Sequence, residues 1–165
     1  MMLSRNSYYT LLILMLGLLP ACDFNKESAA TEAPTLKVVN VLDPEQYNDA
    51  RIKGSINLSF EQLEEQAKKW DKNTPVVIYC SNYMCTGSMQ GAKALAAMGF
   101  KNVYAYEGGT AEWYQLGKND SSYMLEGPAQ QAYLNIVLEK PAAHEPGVQV
   151  ISAEELKKMI KDANL

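Results

Sequence analysis

A chain of 165 residues, 47% hydrophobic and 21% charged, suits one globular domain of ordinary composition with some sequence to spare. That length builds a core without disulfide scaffolding, and three cysteines are too few to supply one. Acidic residues outnumber basic ones by 19 to 15 and no basic run occurs, so nothing points to nucleic acid as a partner.

Residues 1–21 read as a targeting segment, with Arg5 as the positive start, Leu11 to Leu19 as a short apolar stretch and Ala21 as the small residue at the cleavage point. Leu19-Pro20-Ala21-Cys22 resembles the lipobox of bacterial lipoproteins, which implies lipidation of Cys22 and anchoring to a membrane of the cell envelope. Asp23 resembles the signal that keeps such proteins on the periplasmic face of the inner membrane. The alternative is an ordinary secretory peptide followed by an incidental cysteine. Residues 22–35 are polar, alanine-rich and end in Ala33-Pro34, the composition of a flexible tether.

Order begins at Leu36, where a β-branched run to Leu42 predicts a strand, and Asp43-Pro44-Glu45 opens a turn or short helix. Ser59 followed three residues later by Gln62 forms a capping box, with Leu58 and Leu63 as its apolar staple, so a helix is predicted to about Trp70. Val76 to Tyr79 is an apolar run entered from Thr74-Pro75 and reads as a buried strand. Ser88 to Met98 reads as a helix stopped by Gly99, and Val103 to Tyr106 as another strand. Gly108-Gly109 supplies a turn before a helix that carries Trp113. Gly117 to Gly127 reads as a polar loop, Pro128 to Glu139 as a helix, and Pro141 to Gly147 as a connector. Val148 to Ile151 is then a short strand, and Ser152 with Glu155 a second capping box. Strands alternating with helices predict an α/β fold with a parallel sheet, whose ligands bind beyond the carboxyl ends of the strands.

Cys80 lies at such an end, before a loop that feeds a helix N-terminus. Unpaired amides and a positive dipole there favour a thiolate, which makes Cys80 either a nucleophile or simply a small buried residue closing a strand. Five pieces of the chain decide between these. Lys37 to Val41 with Glu45-Gln46-Tyr47, Arg51 to Asn57, the Cys80 strand and loop, Gly99 to Val103, and Glu107-Gly108-Gly109 with Trp113 together resemble the rhodanese-like (sulfurtransferase) family in order and spacing.

The resemblance implies a central parallel sheet flanked by helices over residues 36–117, and a sulfurtransferase that carries a persulfide on Cys80. It also implies a loop of Ser81, Asn82, Tyr83, Met84, Thr86, Gly87 and Ser88 that cradles the substrate. The expected small partners are a sulfur donor and a thiol acceptor, with no metal or other cofactor. A strand and helix usually precede the first central strand in this family. Here only tether precedes Leu36, so one expectation is that residues 118–165 pack on the same domain and supply them; the other is an independent tail helix.

Two features of the loop bear on chemistry. It has no Arg or Lys between Cys80 and Ala92, and Thr86 stands where related phosphatases close a Cys-x5-Arg loop, so phosphatase chemistry is disfavoured and thiosulfate is expected to be a poor substrate. Cys85 is near enough in sequence to meet Cys80. It is either a packed thiol or a resolving cysteine, and the second reading would make the protein a thiol-disulfide redox protein using Cys80 and Cys85. A binding module without catalysis, using Tyr83 and Met84 at the loop tip, is the third reading. The single histidine, His144, lies in the connector and would have to fold back to reach the site.

Overall fold

The computed structural model describes residues 35–144 and 146–165; the targeting segment, Cys22 and all but the last residue of the tether lie outside them. In chain order the elements are β1 (Lys37–Asn40), α1 (Pro44–Asp49), β2 (Arg51–Ile52), β3 (Ile56–Asn57), α2 (Phe60–Ala67), β4 (Val76–Tyr79), α3 (Gly87–Ala97), β5 (Val103–Tyr106), α4 (Gly109–Gly117), β6 (Leu125–Glu126), a 3-10 turn (Ala132–Asn135), β7 (Gln149–Val150) and α5 (Ala153–Asp162). Five strands form a parallel sheet in the order β3-β1-β4-β5-β7, and β2 pairs antiparallel with β6. The α/β class with a central parallel sheet is the one the sequence predicted.

The strands divide their side chains between two cores with the period of two that a pleated strand imposes. Val38, Val77, Tyr79 and Tyr106 face Trp113 of α4 and Leu156 and Ile160 of α5. Val39, Val76, Ile78 and Ala105 face Leu63 of α2 and Ala92 and Leu95 of α3. Every residue of β4 is buried, because it is central in the sheet and covered on both faces.

Both predicted capping boxes form: the Ser59 and Ser152 hydroxyls accept from the amides of Gln62 and Glu155, whose side chains accept from the Ser59 and Ser152 amides. Asp43 caps α1 through the Gln46 amide. α2 stops at Ala67, short of Trp70, whose ring instead meets Phe100 edge-on at 6.3 Å.

Two predictions fail. Residues 117–127 are not wholly loop, because Leu125–Glu126 pairs with Arg51–Ile52 and Arg51 Nε donates to Glu126 at 3.1 Å. Residues 128–139 do not form an α-helix; only the 3-10 turn is helical. Ala129 has φ 54°, and the Asp49 carboxylate accepts from the amides of Gln130 and Gln131 at 3.0 Å each. Gln115 Nε2 donates to the carbonyls of Leu134 and Ile136 at 3.0 and 2.9 Å. Side chains distant in sequence thus take the donors and acceptors an α-helix would have used.

The C-terminal strand and helix belong to the same sheet and core. β7 pairs with β5, the Ile151 amide donates to the Ala105 carbonyl at 3.0 Å, and Leu36 and Leu165 pack in one cluster with Leu156. Trp113 stands between Tyr106 and Tyr123 in edge-on contacts of 6.0 and 4.9 Å, and Tyr123 donates to Glu154 at the start of α5 at 2.7 Å. Leu156 is fully buried, so Leu156→Ala is expected to lower unfolding free energy by about 2–5 kcal/mol in denaturant titrations. Deleting residues 148–165 uncovers the edge of β5 and one face of the sheet and is expected to abolish the cooperative transition; a truncated chain that melts like the full one would contradict this packing.

Candidate functional site

β4 ends at Tyr79, so Cys80 is the first residue beyond the carboxyl end of the central strand. Its main chain is held by α4. The Thr110 amide and hydroxyl donate to the Cys80 carbonyl at 3.0 and 3.3 Å, and the Ala111 amide donates to the Ser81 carbonyl at 2.9 Å. Gly109 makes that approach possible. It has φ 62°, and a Cβ there would lie 2.5 Å from the Cys80 carbonyl oxygen and 2.8 Å from the Asn82 nitrogen. The role expected of Gly108-Gly109, a turn, is therefore only half of what the pair does.

The side chain of Cys80 meets a different helix. A Cβ at Gly87, the first residue of α3, would stand 3.2 Å from Cys80 Sγ and 3.4 Å from Cys85 Sγ, so both sulfurs lie against the first turn of α3. The two cysteines are joined in a disulfide, with Cα atoms 6.2 Å apart, within the range that a disulfide spans. Cys80 is only 2% exposed, whereas Cys85 is half-buried.

The remaining predicted residues divide by role. Ser81 places its hydroxyl 4.0 Å from Cys80 Sγ. Asn82 is turned inward and shapes the loop: its side-chain oxygen accepts from the Met84 amide at 2.9 Å and its carbonyl from the Cys85 amide at 3.0 Å. Met84, 82% exposed, forms the tip, and Thr86 is exposed and accepts from Gln90 at 2.9 Å. Ser88 is fully buried, and its hydroxyl has no partner among the described residues.

Two residues that the sequence did not single out, Glu112 and Lys140, complete the surroundings. Glu112 of α4 is a buried carboxylate that accepts from Tyr83 at 2.8 Å and from Tyr106 at 3.0 Å, and pairs with Lys140 Nζ at 3.0 Å. Burial first, and the Glu112 hydrogen bond second, push the Tyr83 phenol up to about 12, so it stays a donor throughout the working pH range. Lys140 also stands 5.6 Å from the centre of the Tyr83 ring. A cation absent from the loop itself thus comes from the C-terminal extension. His144 does fold back: its Nδ1 pairs with the Glu107 carboxylate at 2.6 Å, at the carboxyl end of β5. A helical residue followed by a distant lysine carries no local pattern, so no sequence signal could have found Glu112 and Lys140.

A cavity of about 680 Å³ opens elsewhere, lined by Ile52, Lys53, Trp113, Met124, Ile160 and Lys161 among others, and its lining includes no residue of the Cys80 loop.

The family model described as rhodanese-like domain matches residues 25–116, more than half of the chain. A thiosulfate sulfurtransferase GlpE of Shewanella oneidensis is 32% identical over 85 residues, covering 52% of this chain and 82% of its own. One of Coxiella burnetii is 36% identical over 76 residues, covering 46% of this chain and 69% of its own. Among solved structures, one described as rhodanese with anions from E. coli is 31% identical and covers 46% of this chain and 88% of its own, with a TM-score of 0.40.

The contact at Gly109 carries a prediction that Gly99 controls. Both have positive φ, but a Cβ at Gly99 meets nothing within 4 Å. Gly99→Ala is expected to cost about 1–3 kcal/mol of backbone strain alone. Gly109→Ala adds a collision with the Cys80 peptide and should be the more destabilising of the two. Of the two, it alone should alter the rate at which reduced Cys80 is alkylated.

Proposed function

Because this chain belongs to the rhodanese-like domain family and its function is of the sulfurtransferase type, we propose that Cys80 is the nucleophile that takes up a sulfane sulfur as a persulfide. The observation that carries this reading is the position of the Cys80 sulfur, beyond the end of β4 and against the first turn of α3. The side chain of Thr86, the N-cap of α3, accepts from the Gln90 side chain and from none of the helix amides, so it does not compete for the first-turn amides. Unpaired amides and the helix dipole stabilise a thiolate there, and then the anionic persulfide that replaces it. In the reduced protein, the Cys80 thiolate attacks the outer sulfur of the donor. The donor's S–S bond breaks, its remaining fragment leaves with the electron pair, and the sulfane sulfur stays on Cys80.

Thiosulfate, the substrate named for the relatives, is the donor we assign, with sulfite as the leaving group. Reduced protein treated with thiosulfate should release one sulfite per chain, and Cys80→Ser should release none; sulfite release that survives in Cys80→Ser would overturn the assignment.

The loop binds this dianion weakly, because Lys140 is already engaged by Glu112 and the loop has no cation of its own. Each missing charge-assisted contact is worth about 1.5–3 kcal/mol. Thr86→Arg adds a guanidinium at an exposed position, and it should lower the KM for thiosulfate by about tenfold in steady-state sulfite assays.

The site works at the surface of a membrane in this reading. Lipidation at Cys22 would anchor the chain, with residues 23–35 as tether to the periplasmic face of the inner membrane. Support comes from Leu19-Pro20-Ala21-Cys22 and Asp23. One acyl chain binds a bilayer only marginally, so firm attachment takes more than one. The wild-type product should partition into detergent and Cys22→Ala into the aqueous phase, and recovery of unmodified wild type in the aqueous phase would remove the anchor from this account.

A further inference from the structure

The disulfide occupies the residue that the proposed chemistry needs free, and a bond placed there calls for an account. As a staple it adds little, since its sequence separation is 5 and the constraint a disulfide imposes grows with the length of the loop it closes. The loop is already shaped without it, by the Asn82 turn and by Tyr83 on Glu112. What the bond does show is reach: folding back at Asn82 brings Cys85 Sγ to Cys80 Sγ, with both sulfurs against Gly87.

We propose that Cys85 discharges the Cys80 persulfide: its thiolate attacks Cys80 Sγ, expels the sulfane sulfur as hydrosulfide and leaves the Cys80–Cys85 disulfide, which a dithiol then reopens from the Cys85 side. The proposal rests on the sulfurtransferase reading above and extends it to the fate of the sulfur. The bond between Cys80 Sγ and the sulfane sulfur breaks, and the bond between Cys80 and Cys85 forms. The sulfane sulfur takes the electron pair, and with the proton from the Cys85 thiol it leaves as hydrosulfide; the two cysteine sulfurs are oxidised as it is reduced. The reductant is a dithiol by class. It loses two electrons and two protons, becomes a disulfide itself, and returns both cysteines to thiols.

Access sets the direction of reopening. Cys80 is 2% exposed while Cys85 is half-buried, so an incoming thiolate meets the Cys85 sulfur first. The group it displaces is then the Cys80 thiolate, which leaves onto the first turn of α3 and is stabilised there. This arrangement makes the protein a hydrosulfide-releasing enzyme coupled to a dithiol, rather than a carrier that hands its sulfur on intact.

A single turnover tests it. The full chain is reduced, freed of small thiols and mixed with excess inorganic thiosulfate in the absence of oxygen, and sulfite, hydrosulfide and intact mass are followed. Wild type should release one hydrosulfide for each sulfite and finish with no added sulfur and no free Cys80 or Cys85 thiol. Cys85→Ser should release sulfite without hydrosulfide and hold one added sulfur on Cys80. A wild type that keeps the added sulfur as Cys85→Ser does would overturn the discharge step while leaving the sulfurtransferase reading in place. Failure of both proteins to take up sulfur would overturn that reading and the discharge step with it. For the direction, the oxidised protein is treated with glutathione and the mixed disulfide mapped: addition to Cys85 is expected, and addition to Cys80 would overturn the order of attack.

Discussion

The carbonyls of Cys80 and Ser81 leave the sheet where no further strand can pair with them, and the first amides of α4 take both. Buried carbonyls left without donors cost more than the hydrogen bonds themselves are worth, so this contact fixes how the chain departs from β4. It demands that helix backbone come nearly into contact with strand-end backbone, which only the missing side chain of Gly109 allows. With the Cys80 main chain held by α4, its sulfur is directed at α3, and the two helix starts converge on one residue from its two sides. The chemistry proposed for Cys80 depends on that convergence more than on any single neighbour in the loop.

The same region shows why a C-terminal extension matters to a site formed by the middle of the chain. β7 and α5 close the sheet and bury Trp113, and the residue before Trp113 is Glu112. Glu112 in turn holds Tyr83 of the loop, Tyr106 at the end of β5, and Lys140 from the segment that leads back to β7. His144 on Glu107 fixes that segment a second time. Sheet edge, extension and loop therefore share partners, so the packing of α5 and the shape of the loop are physically linked through α4.

The extension also changes the electrostatics of the site without making it strongly positive. Lys140 reaches Tyr83, but its charge is offset by the buried Glu112 carboxylate. The sulfur chemistry is therefore assigned to helix starts and main-chain amides rather than to a guanidinium clamp. Such a site favours a singly charged sulfur species over a tightly held dianion, as suits the persulfide proposed for Cys80 and its proposed discharge by Cys85.

Much of this was legible locally. The two capping boxes are interactions between residues three apart, β1 and β4 are runs of adjacent β-branched or apolar residues, and the position of Cys80 after such a run is visible in five consecutive residues. Each depends only on neighbours in the chain, so the sequence by itself determined β1, β4, β5 and β7, most of the helices, the α/β class and the candidate nucleophile. The tertiary structure decided what depends on residues far apart. Asp49 and Gln115 capture amides and carbonyls that an α-helix after Pro128 would have used, Leu125–Glu126 is a strand through its pairing with Arg51–Ile52, and Glu112 and Lys140, far apart in the chain, meet only in the fold. A hydrogen bond or ion pair formed across such separations leaves no periodicity in the sequence, because its partners are chosen by the fold rather than by the chain between them.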